Sequence, residues 1–417
     1  MNDFPKDQMP VEEPRNPWKD RAALPEVASK YKLLAVIAMA ICAIGLPLLS
    51  YELAAPILIA LLFGAVVLLA RTRRTVILLL VSTVIVSMTL GMTAAALFLG
   101  LIVGCAATTY LLTADKRGYA GVFVLIPVVI ALIVYLITRD VTALIMAISF
   151  LPAAFLLALA TRMGKGRTGA ICYAIGGFLL TALIIIAVLV YQYQGELTVE
   201  ALKRGVDGVR EAFVAELIKA RDLMMQPLSD TVMDEQMQAA YDQMMEMMSD
   251  SLLRELAGQI FTLLPAILTV TCGILAFEAQ ALLNATYHRS GLDVVLTENA
   301  TRFTMSLTAS VLYLISFLLM LFLPNGSVAC SATQNITLML TPGLCLIGLA
   351  DLRVLLSRAK GGTRAVLIVL LAVSLMCCAG GSALYVLAFW GAYGRIAQML
   401  KQKMIEKMNG MNGPDAD

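Results

Sequence analysis

The hydrophobic pattern of the chain consists of long apolar runs that are separated by charged residues or by turn residues. A helix that crosses a bilayer needs about 20 mainly apolar residues. Eleven such runs lie at 33–50, 53–70, 75–90, 92–113, 120–138, 141–161, 168–191, 258–283, 303–323, 336–356 and 365–391. The pattern therefore predicts an all-α fold, a polytopic transmembrane helical bundle of about 10 or 11 spans.

One long segment, residues 192–257, has helical periodicity in place of a continuous apolar run. Apolar residues recur there at spacings of three and four, which is typical of one face of an amphipathic helix. The first stripe comprises Val199, Leu202, Val206, Val209, Phe213 and Leu217. The second stripe comprises Met233, Met237, Tyr241, Met244, Met248 and Leu252. Because Pro227 lies between the stripes as a helix breaker, the segment is predicted to be an extramembrane helical hairpin.

The methionine-rich stripe allows three interpretations. Methionine fills irregular apolar gaps, so the stripe can pack the two helices on each other or on the rim of the membrane. Flexible thioethers can also form an adaptable partner-binding surface. Its candidate residues are Met233, Met237, Tyr241, Met244 and Met248. Thioethers also bind Cu(I), but no histidine or cysteine accompanies them, so no metal site is predicted.

Lysine and arginine residues mark alternate connections between the runs. Basic residues flank the cytoplasmic ends of spans, and here they precede the first run and follow the second, fourth, sixth, eighth and tenth runs. The N-terminus is therefore predicted to be cytoplasmic, and the hairpin, with 13 acids against 6 bases, to lie outside. The last segment departs from the rule, because eleven spans would place its basic residues on the external side of the membrane. These residues are Arg395, Lys401, Lys403 and Lys407. Ten spans remain the alternative.

The same pattern divides the chain into five parts. Residues 1–32 are polar and rich in proline, and they are predicted to be a disordered cytoplasmic tail. An N-terminal transmembrane bundle of about 7 spans is predicted at 33–191, and a C-terminal bundle of about 4 spans at 258–393. The acidic, Met-rich hairpin lies between them at 192–257, and a polar tail follows at 394–417.

Composition excludes two broad classes of protein. With 60% hydrophobic and 14% charged residues, the 417-residue chain is too apolar for a soluble fold. A formal net charge of +2, without basic clusters interleaved with aromatic residues, argues against nucleic-acid binding. A multi-pass protein of the cell membrane is the prediction.

Two acidic residues fall inside apolar runs, where ionisable groups are costly and mark candidate sites. They are Glu278 in GILAFEAQALLN and Asp351 in LCLIGLADLRVLL. If their helices are neighbours, Glu278, Gln280, Asn284 and Asp351 are predicted to line a substrate-binding pocket or a proton path. The alternative places both acids at the headgroup boundary, with Arg353 extending outward past the same helix end.

Signatures of catalysis are missing from the sequence. It contains no GxSxG or HExxH motif, no Walker A pattern and a single histidine, His288. No enzyme activity, catalytic residue or cofactor is therefore predicted, and an intramembrane enzyme is the least supported alternative. The chain has no motif of its own for using ATP.

Four stretches resemble the YybS-like family of bacterial membrane proteins, the domain of unknown function 2232. They are KYKLLAVIAMAICAIGLPLLSYELAAPILIALLFGAVVLLARTRR, LFLGLIVGCAATTYLLTADKRG, NITLMLTPGLCLIGLADLRVLLSRAKGGTRAVLIVLLAVSL and YVLAFWGAYGRI. That family is similar in topology to the substrate-capture subunits of energy-coupling-factor vitamin transporters. The resemblance implies a bundle that binds a small molecule and docks on a separate ATPase. It implies docking through small residues of the first span, here Ala35, Ala38, Cys42 and Ala43.

The sequence thus predicts an integral membrane protein that acts as a transporter or solute-binding component without its own ATPase. Its predicted partners are the lipid bilayer, a small molecule of unspecified class, and a separate ATPase or envelope membrane protein, but no nucleic acid. The alternative is a non-catalytic membrane scaffold or sensor that binds a partner protein through the hairpin.

Overall fold

Helices make up almost all of the fold. The computed structural model describes residues 29–51, 53–70, 73–114, 120–229, 239, 243, 246, 248–291, 305–324, 326–358 and 381–411. No strand occurs within these ranges. The prediction of an all-α, polytopic helical bundle is confirmed. Most of the tail predicted at 1–32 lies outside the described residues, and the first helix begins at Ser29.

The α-helices of the described ranges are numbered in chain order. They are α1 Ser29–Gly45, α2 Ala54–Leu69, α3 Arg73–Leu90, α4 Met92–Ala114, α5 Ala120–Thr138, α6 Val141–Ile148, α7 Leu151–Arg162, α8 Arg167–Gln194, α9 Val199–Ser229, α10 Asp250–Thr262, α11 Leu264–Ser290, α12 Leu307–Phe322, α13 Val328–Arg358 and α14 Gly381–Met411. A short 3-10 helix, Pro47–Ser50, follows α1.

Ten apolar elements correspond to the first ten predicted spans. Within the described ranges, eight helical stretches are apolar and long enough to cross a membrane, and the apolar helices α2 and α12 are shorter. The eleventh predicted span, at 365–391, lies mostly outside the described residues. Helix α14 begins near the end of that span and continues to Met411, so it crosses residue 394, where the polar tail was predicted to begin.

The chain forms two compact units. The first comprises Met1–Leu183 with Cys272–Arg302, and the second comprises Ile184–Thr271 with Phe303–Asp417. Helices α8 and α11 each contribute residues to both units, because each contains one of the boundaries. The units therefore divide the chain at different residues from the predicted boundaries at 191 and 258.

Helix α4 is the central helix of the first unit. It packs against α1, α2, α3, α5 and α7, and 83% of its most apolar stretch is buried, against 11% for α3. A helix that is apolar on all sides belongs in such a position. Small residues permit the close packing: a Cβ on Gly100 would lie 2.6 Å from the Leu46 side chain, and one on Gly104 would lie 2.7 Å from the Phe150 ring.

Helices α7 and α8 cross closely in the first unit. A Cβ on Gly177 would collide with the backbone of Ala153 and Pro152. Beside it, the Thr181 hydroxyl donates a hydrogen bond to the Ser149 carbonyl at 2.8 Å. A glycine is therefore required where α8 meets the first turn of α7.

The sixth predicted span, at 141–161, consists of two helices in place of one. Helix α6 ends at Ile148, and α7 begins at Leu151 with Pro152 in its first turn. Proline is tolerated in a first turn because the amide hydrogen that it lacks has no intrahelical partner there. The Ser149 carbonyl, which lies at the break, is satisfied by Thr181.

Helices α9 and α10 pack against each other within the second unit. The Arg221 side chain, which is 11% exposed, lies 2.6 Å from Asp250 and donates a hydrogen bond to the Met248 carbonyl at 2.9 Å. Hydrogen bonds that the Arg221 guanidinium donates to Asp250, and then to Asp222, hold the pKa of Arg221 above its ordinary value. This arginine therefore links the last part of α9 to the start of α10.

The face that α9 buries differs from the predicted stripe. Ala201 and Val214 are buried, whereas Val199 and Val209 are more than half exposed. Phe213 alone of the stripe has a ring contact, with Phe261 of α10 at 6.1 Å between centroids. The apolar stripe is therefore left largely uncovered by the described residues.

Helix α9 includes Pro227 and is described as far as Ser229. The residues that follow Ser229 directly lie outside the described ranges. Proline removes one backbone hydrogen bond and crowds the preceding turn of a helix. The prediction that Pro227 separates two helices therefore stays a prediction.

We expect Arg221→Ala to increase backbone exchange in α10. The substitution removes the ion pair with Asp250 and the hydrogen bond to Met248, which join the two helices. Hydrogen–deuterium exchange of the purified protein measures the effect. The control is Lys219→Ala, whose pair with Glu216 is exposed and 3.7 Å long. Such a pair contributes less than about 1 kcal/mol, so equal exchange in both variants would contradict the linking role.

Helix α11 begins several residues later than the span predicted at 258–283. The helical structure is interrupted at Leu263, between α10 and α11, and Pro265 lies in the first turn of α11. The Asn335 side chain satisfies both sides of the break. It accepts a hydrogen bond from the Ala266 amide at 3.1 Å and donates one to the Thr262 carbonyl at 3.0 Å.

The rest of the second unit is organised by α12, α13 and α14. Its buried cluster comprises Tyr313, Leu344, Cys345, Ala388 and Ala392. Helices α13 and α14 cross closely, because a Cβ on Gly348 would collide with the Leu387 carbonyl and one on Gly391 with the Leu344 carbonyl. Small residues at the crossing allow this approach.

Candidate functional site

Glu278 lies in the middle of α11. The helix has 27 residues, so fourteen (264–277) precede Glu278 and twelve (279–290) follow it. At a rise of about 1.5 Å per residue, the carboxylate is roughly 20 Å from either end of the helix. Helix α11 starts later and ends later than the predicted span. This position therefore favours the interpretation that Glu278 lies inside the membrane, and disfavours the alternative that it lies at the headgroup boundary.

The carboxylate of Glu278 is buried and only half satisfied. The side chain is 2% exposed. Its Oε1 accepts a hydrogen bond from the Ser82 hydroxyl of α3 at 2.5 Å, whereas its Oε2 is buried without a partner among the described residues. A buried acceptor without a partner is costly, and in a native protein it calls for an explanation such as a bound ligand or a catalytic role.

Gln280 and Asn284 lie on a different face of α11 from Glu278. Residues four apart share a helix face, whereas residues two apart do not. Gln280 is buried, and its amide donates a hydrogen bond to the Arg167 carbonyl of α8 at 3.3 Å. The Arg167 guanidinium lies 5.0 Å from the centre of the Phe277 ring on the same face of α11.

The same face of α11 continues to Tyr287. The Tyr287 hydroxyl is hydrogen-bonded to the Thr113 hydroxyl near the end of α4. The rings of Tyr287 and Tyr110 are 5.7 Å apart. Tyr110 is fully buried. Polar groups thus follow α11 from its middle towards its C-terminal end.

Four polar atoms of this region are buried and unpartnered within the described part of the chain. They are Oε2 of Glu278, Oε1 of Gln280, Oδ1 of Asn284 and Nε of Arg167. All four belong to the first unit. Three of the atoms are hydrogen-bond acceptors of α11, those of Gln280 and Asn284 on one face and that of Glu278 on another. Each face can therefore accept hydrogen bonds from a molecule that carries donors, and the carboxylate can also bind a positive charge.

Asp351 belongs to the second unit, whereas the other three predicted pocket residues belong to the first. It lies on α13, seven residues before the helix ends at Arg358. A Cβ on Gly394 of α14 would lie 2.8 Å from Asp351 Oδ2. The proposal that Asp351 shares a pocket with Glu278 stays a prediction.

The predicted partner-binding methionines lie almost entirely outside the described residues. This holds for Met233, Met237, Tyr241 and Met244. Met248 is described, is partly exposed, and uses its backbone carbonyl to accept a hydrogen bond from Arg221. The role of this stripe in partner binding stays a prediction.

The small residues of the first span do not form a free docking surface. Ala35, Ala38, Cys42 and Ala43 are all fully buried, and α1 packs against α2, α4 and α5. The docking face that the family resemblance implied is therefore wrong for these residues, because they serve internal packing.

Sequence reasoning missed the partners of the predicted site residues. Ser82 stands in an apolar run, and Arg167 is one of the basic residues after the sixth run, which in the sequence indicate only orientation. The sequence nonetheless indicates one polar helix face, because Gln280, Asn284 and Tyr287 recur at spacings of four and three. Within the described ranges, no group of three or more His, Cys, Asp or Glu residues is placed to hold a metal ion.

Comparison with protein families matched the chain to one family model. A family model described as "Predicted membrane protein (DUF2232)" matches residues 110–392, which is more than half of the 417-residue chain. Comparisons with curated proteins and with solved structures found no match. The matched range includes Arg167, Glu278, Gln280 and Asn284, and excludes Ser82. With its multiple apolar helices and this match, the chain belongs to the DUF2232 family of membrane proteins.

Proposed function

We propose that this protein is a transporter or solute-binding component of the cell membrane, without enzyme activity, whose energy comes from a separate ATPase. The observation that carries the proposal is the half-satisfied carboxylate of Glu278 at the middle of α11. Ionisable groups inside a span are costly and mark substrate or ion pathways. A bound solute would supply the missing hydrogen-bond donor.

The chemistry of the unpartnered atoms narrows the class of solute. Oε2 of Glu278, Oε1 of Gln280 and Oδ1 of Asn284 are acceptors. A solute with amine, amide or hydroxyl groups matches them, and a positive charge would match the carboxylate. Glu278 faces α3 and Gln280 faces α8, so the solute or a path for it would reach two sides of α11.

The proposed orientation has a cytoplasmic N-terminus and an external hairpin. The alternation of basic loops supports it. A further support is that Arg289, at the C-terminal end of α11, donates hydrogen bonds to the Val67 and Ala70 carbonyls at 3.0 and 3.4 Å. The ends of α2 and α11, both proposed to be cytoplasmic, therefore lie together.

A second candidate function is a membrane scaffold or sensor that binds a protein through α9. The exposed apolar stripe of this helix favours it, since Val199 and Val209 are 64% and 61% exposed. Contiguous apolar surface of this kind marks interaction sites.

Purification of the full chain from its native membranes in a mild detergent distinguishes the two functions. The transport proposal predicts a retained small molecule or a co-purifying ATPase subunit, in equal amounts from wild type and from Val209→Ser. The scaffold alternative predicts an envelope or membrane protein that wild type retains and Val209→Ser loses. Recovery of only such a protein, without any small molecule or ATPase, would contradict the transport proposal.

A further inference from the structure

An open groove lies in the first unit where four helix ends meet. Its volume is about 670 Å³. Its lining comes from the starts of α1 and α3, from the end of α2 and from the end of α11. Since these are ends of apolar helices that are suited to a membrane, we expect the groove to lie at the level of the lipid headgroups.

The polar part of the groove is basic. Arg73 and Arg289 line it together with Tyr31. The Lys30 ammonium lies 5.1 Å from the centre of the Tyr31 ring, which adds a third positive charge at the rim. None of the described residues that line the groove is acidic. The groove therefore offers an anion two guanidinium groups and a phenol.

Arg289 is held in place by the end of α2. One nitrogen of its guanidinium donates hydrogen bonds to the backbone carbonyls of Val67, Leu68 and Ala70. These are carbonyls at a helix C-terminus, which a cation stabilises. The contact fixes the guanidinium at the rim of the groove. Substitution of Arg289 would remove these hydrogen bonds and disturb the end of α2, so its effect on anion binding could not be separated from an effect on the fold.

The other part of the groove is apolar and faces outward. Val67, Val76 and Ile77 line it, and Val67 and Ile77 are more than half exposed. In a bilayer such side chains contact acyl chains. The groove thus joins a basic end at headgroup level to an apolar wall beneath it, which is the division of polarity within a phospholipid.

We propose that this groove binds an anionic glycerophospholipid. Its phosphate lies between Arg73, Arg289 and Tyr31, and an acyl chain runs along Val67 and Ile77. Basic pockets between transmembrane helices on the cytoplasmic side are suited to such headgroups. The inference is independent of the solute site, since the lining residues do not include Glu278 or its partners.

Native mass spectrometry of the full chain in a nonionic detergent tests the proposal. The protein is incubated with phosphatidylglycerol or with phosphatidylcholine at one concentration. Arg73→Gln is expected to weaken phosphatidylglycerol retention by about fivefold, the effect of one basic residue near an anionic surface. The matched control, Arg74→Gln, changes the neighbouring exposed arginine, which does not line the groove, and is expected to retain the lipid as wild type does.

Three outcomes would overturn the proposal. One is equal retention of phosphatidylglycerol by Arg73→Gln and Arg74→Gln. Another is equal retention of phosphatidylcholine and phosphatidylglycerol by wild type, since a zwitterionic headgroup does not satisfy the basic rim. The third is release of phosphatidylglycerol by inorganic phosphate at the same concentration, which would assign the groove to a free anion.

Discussion

Gly177→Ala is expected to lower the melting temperature of the purified protein, although alanine favours helices over glycine. A Cβ at this position would collide with the backbone of Ala153 and Pro152. Backbone atoms cannot rotate away, so α7 or α8 must shift. Overpacking of this kind costs about 1–3 kcal/mol, which exceeds the helix-propensity gain of about 1 kcal/mol from replacing glycine by alanine.

Gly64→Ala is the matched control for this substitution. Gly64 is also inside an apolar helix, α2, but a Cβ there would meet no atom within 4 Å. Only the propensity gain applies, so the melting temperature is expected to remain or to rise slightly. Thermal unfolding in detergent measures both variants. A Gly177→Ala protein as stable as Gly64→Ala would contradict the close crossing of α7 and α8.

Glu278→Met is expected to raise the stability of the fold. The side chain is 2% exposed and its Oε2 has no partner within the described part of the chain, and a buried unsatisfied group costs about 1–3 kcal/mol. Methionine is unbranched, similar in length and apolar. The Ser82 hydroxyl can then donate to its own helix, as Thr83 does to the Leu79 carbonyl at 2.6 Å.

Ser82→Ala is expected to lower the stability of the fold. It removes the donor that satisfies Oε1 of Glu278, so neither carboxylate oxygen then has a partner among the described residues. The expected loss is about 1–3 kcal/mol, measured by the same thermal unfolding. Loss of stability in both variants would show that Glu278 is a structural partner of Ser82. A gain of stability in Glu278→Met together with a loss in Ser82→Ala would indicate that Glu278 is retained for binding at the expense of stability.

The architecture was predictable because length and apolarity determine which segments can span a bilayer. The boundary predicted between the runs 75–90 and 92–113, for example, is an actual helix end at which Gly91 has a φ of +89°. Helix ends inside apolar runs were less predictable. The break at Leu263 depends on Asn335, whose side chain bonds to both sides of it although it is about 70 residues away in sequence, and no local pattern carries that information.

The candidate site was predictable only in part for the same reason. Glu278, Gln280 and Asn284 stand out as polar residues in an apolar run. Their partners Ser82 and Arg167 come from helices that only the tertiary fold brings near. The late start of α11 also changed the depth assigned to Glu278, from near the end of a span to the middle of a helix.

Binding of a small solute by the Glu278 carboxylate is tested most directly by the content of small molecules in purified wild type and Glu278→Met. Both proteins are folded if the stability prediction holds, so loss of the fold cannot explain a difference. Mass spectrometry of the molecules released on denaturation is expected to find a solute in wild type that is at least about tenfold depleted in the variant, the effect of about 1.4 kcal/mol of binding free energy. Identical small-molecule profiles in the two proteins would contradict the claim.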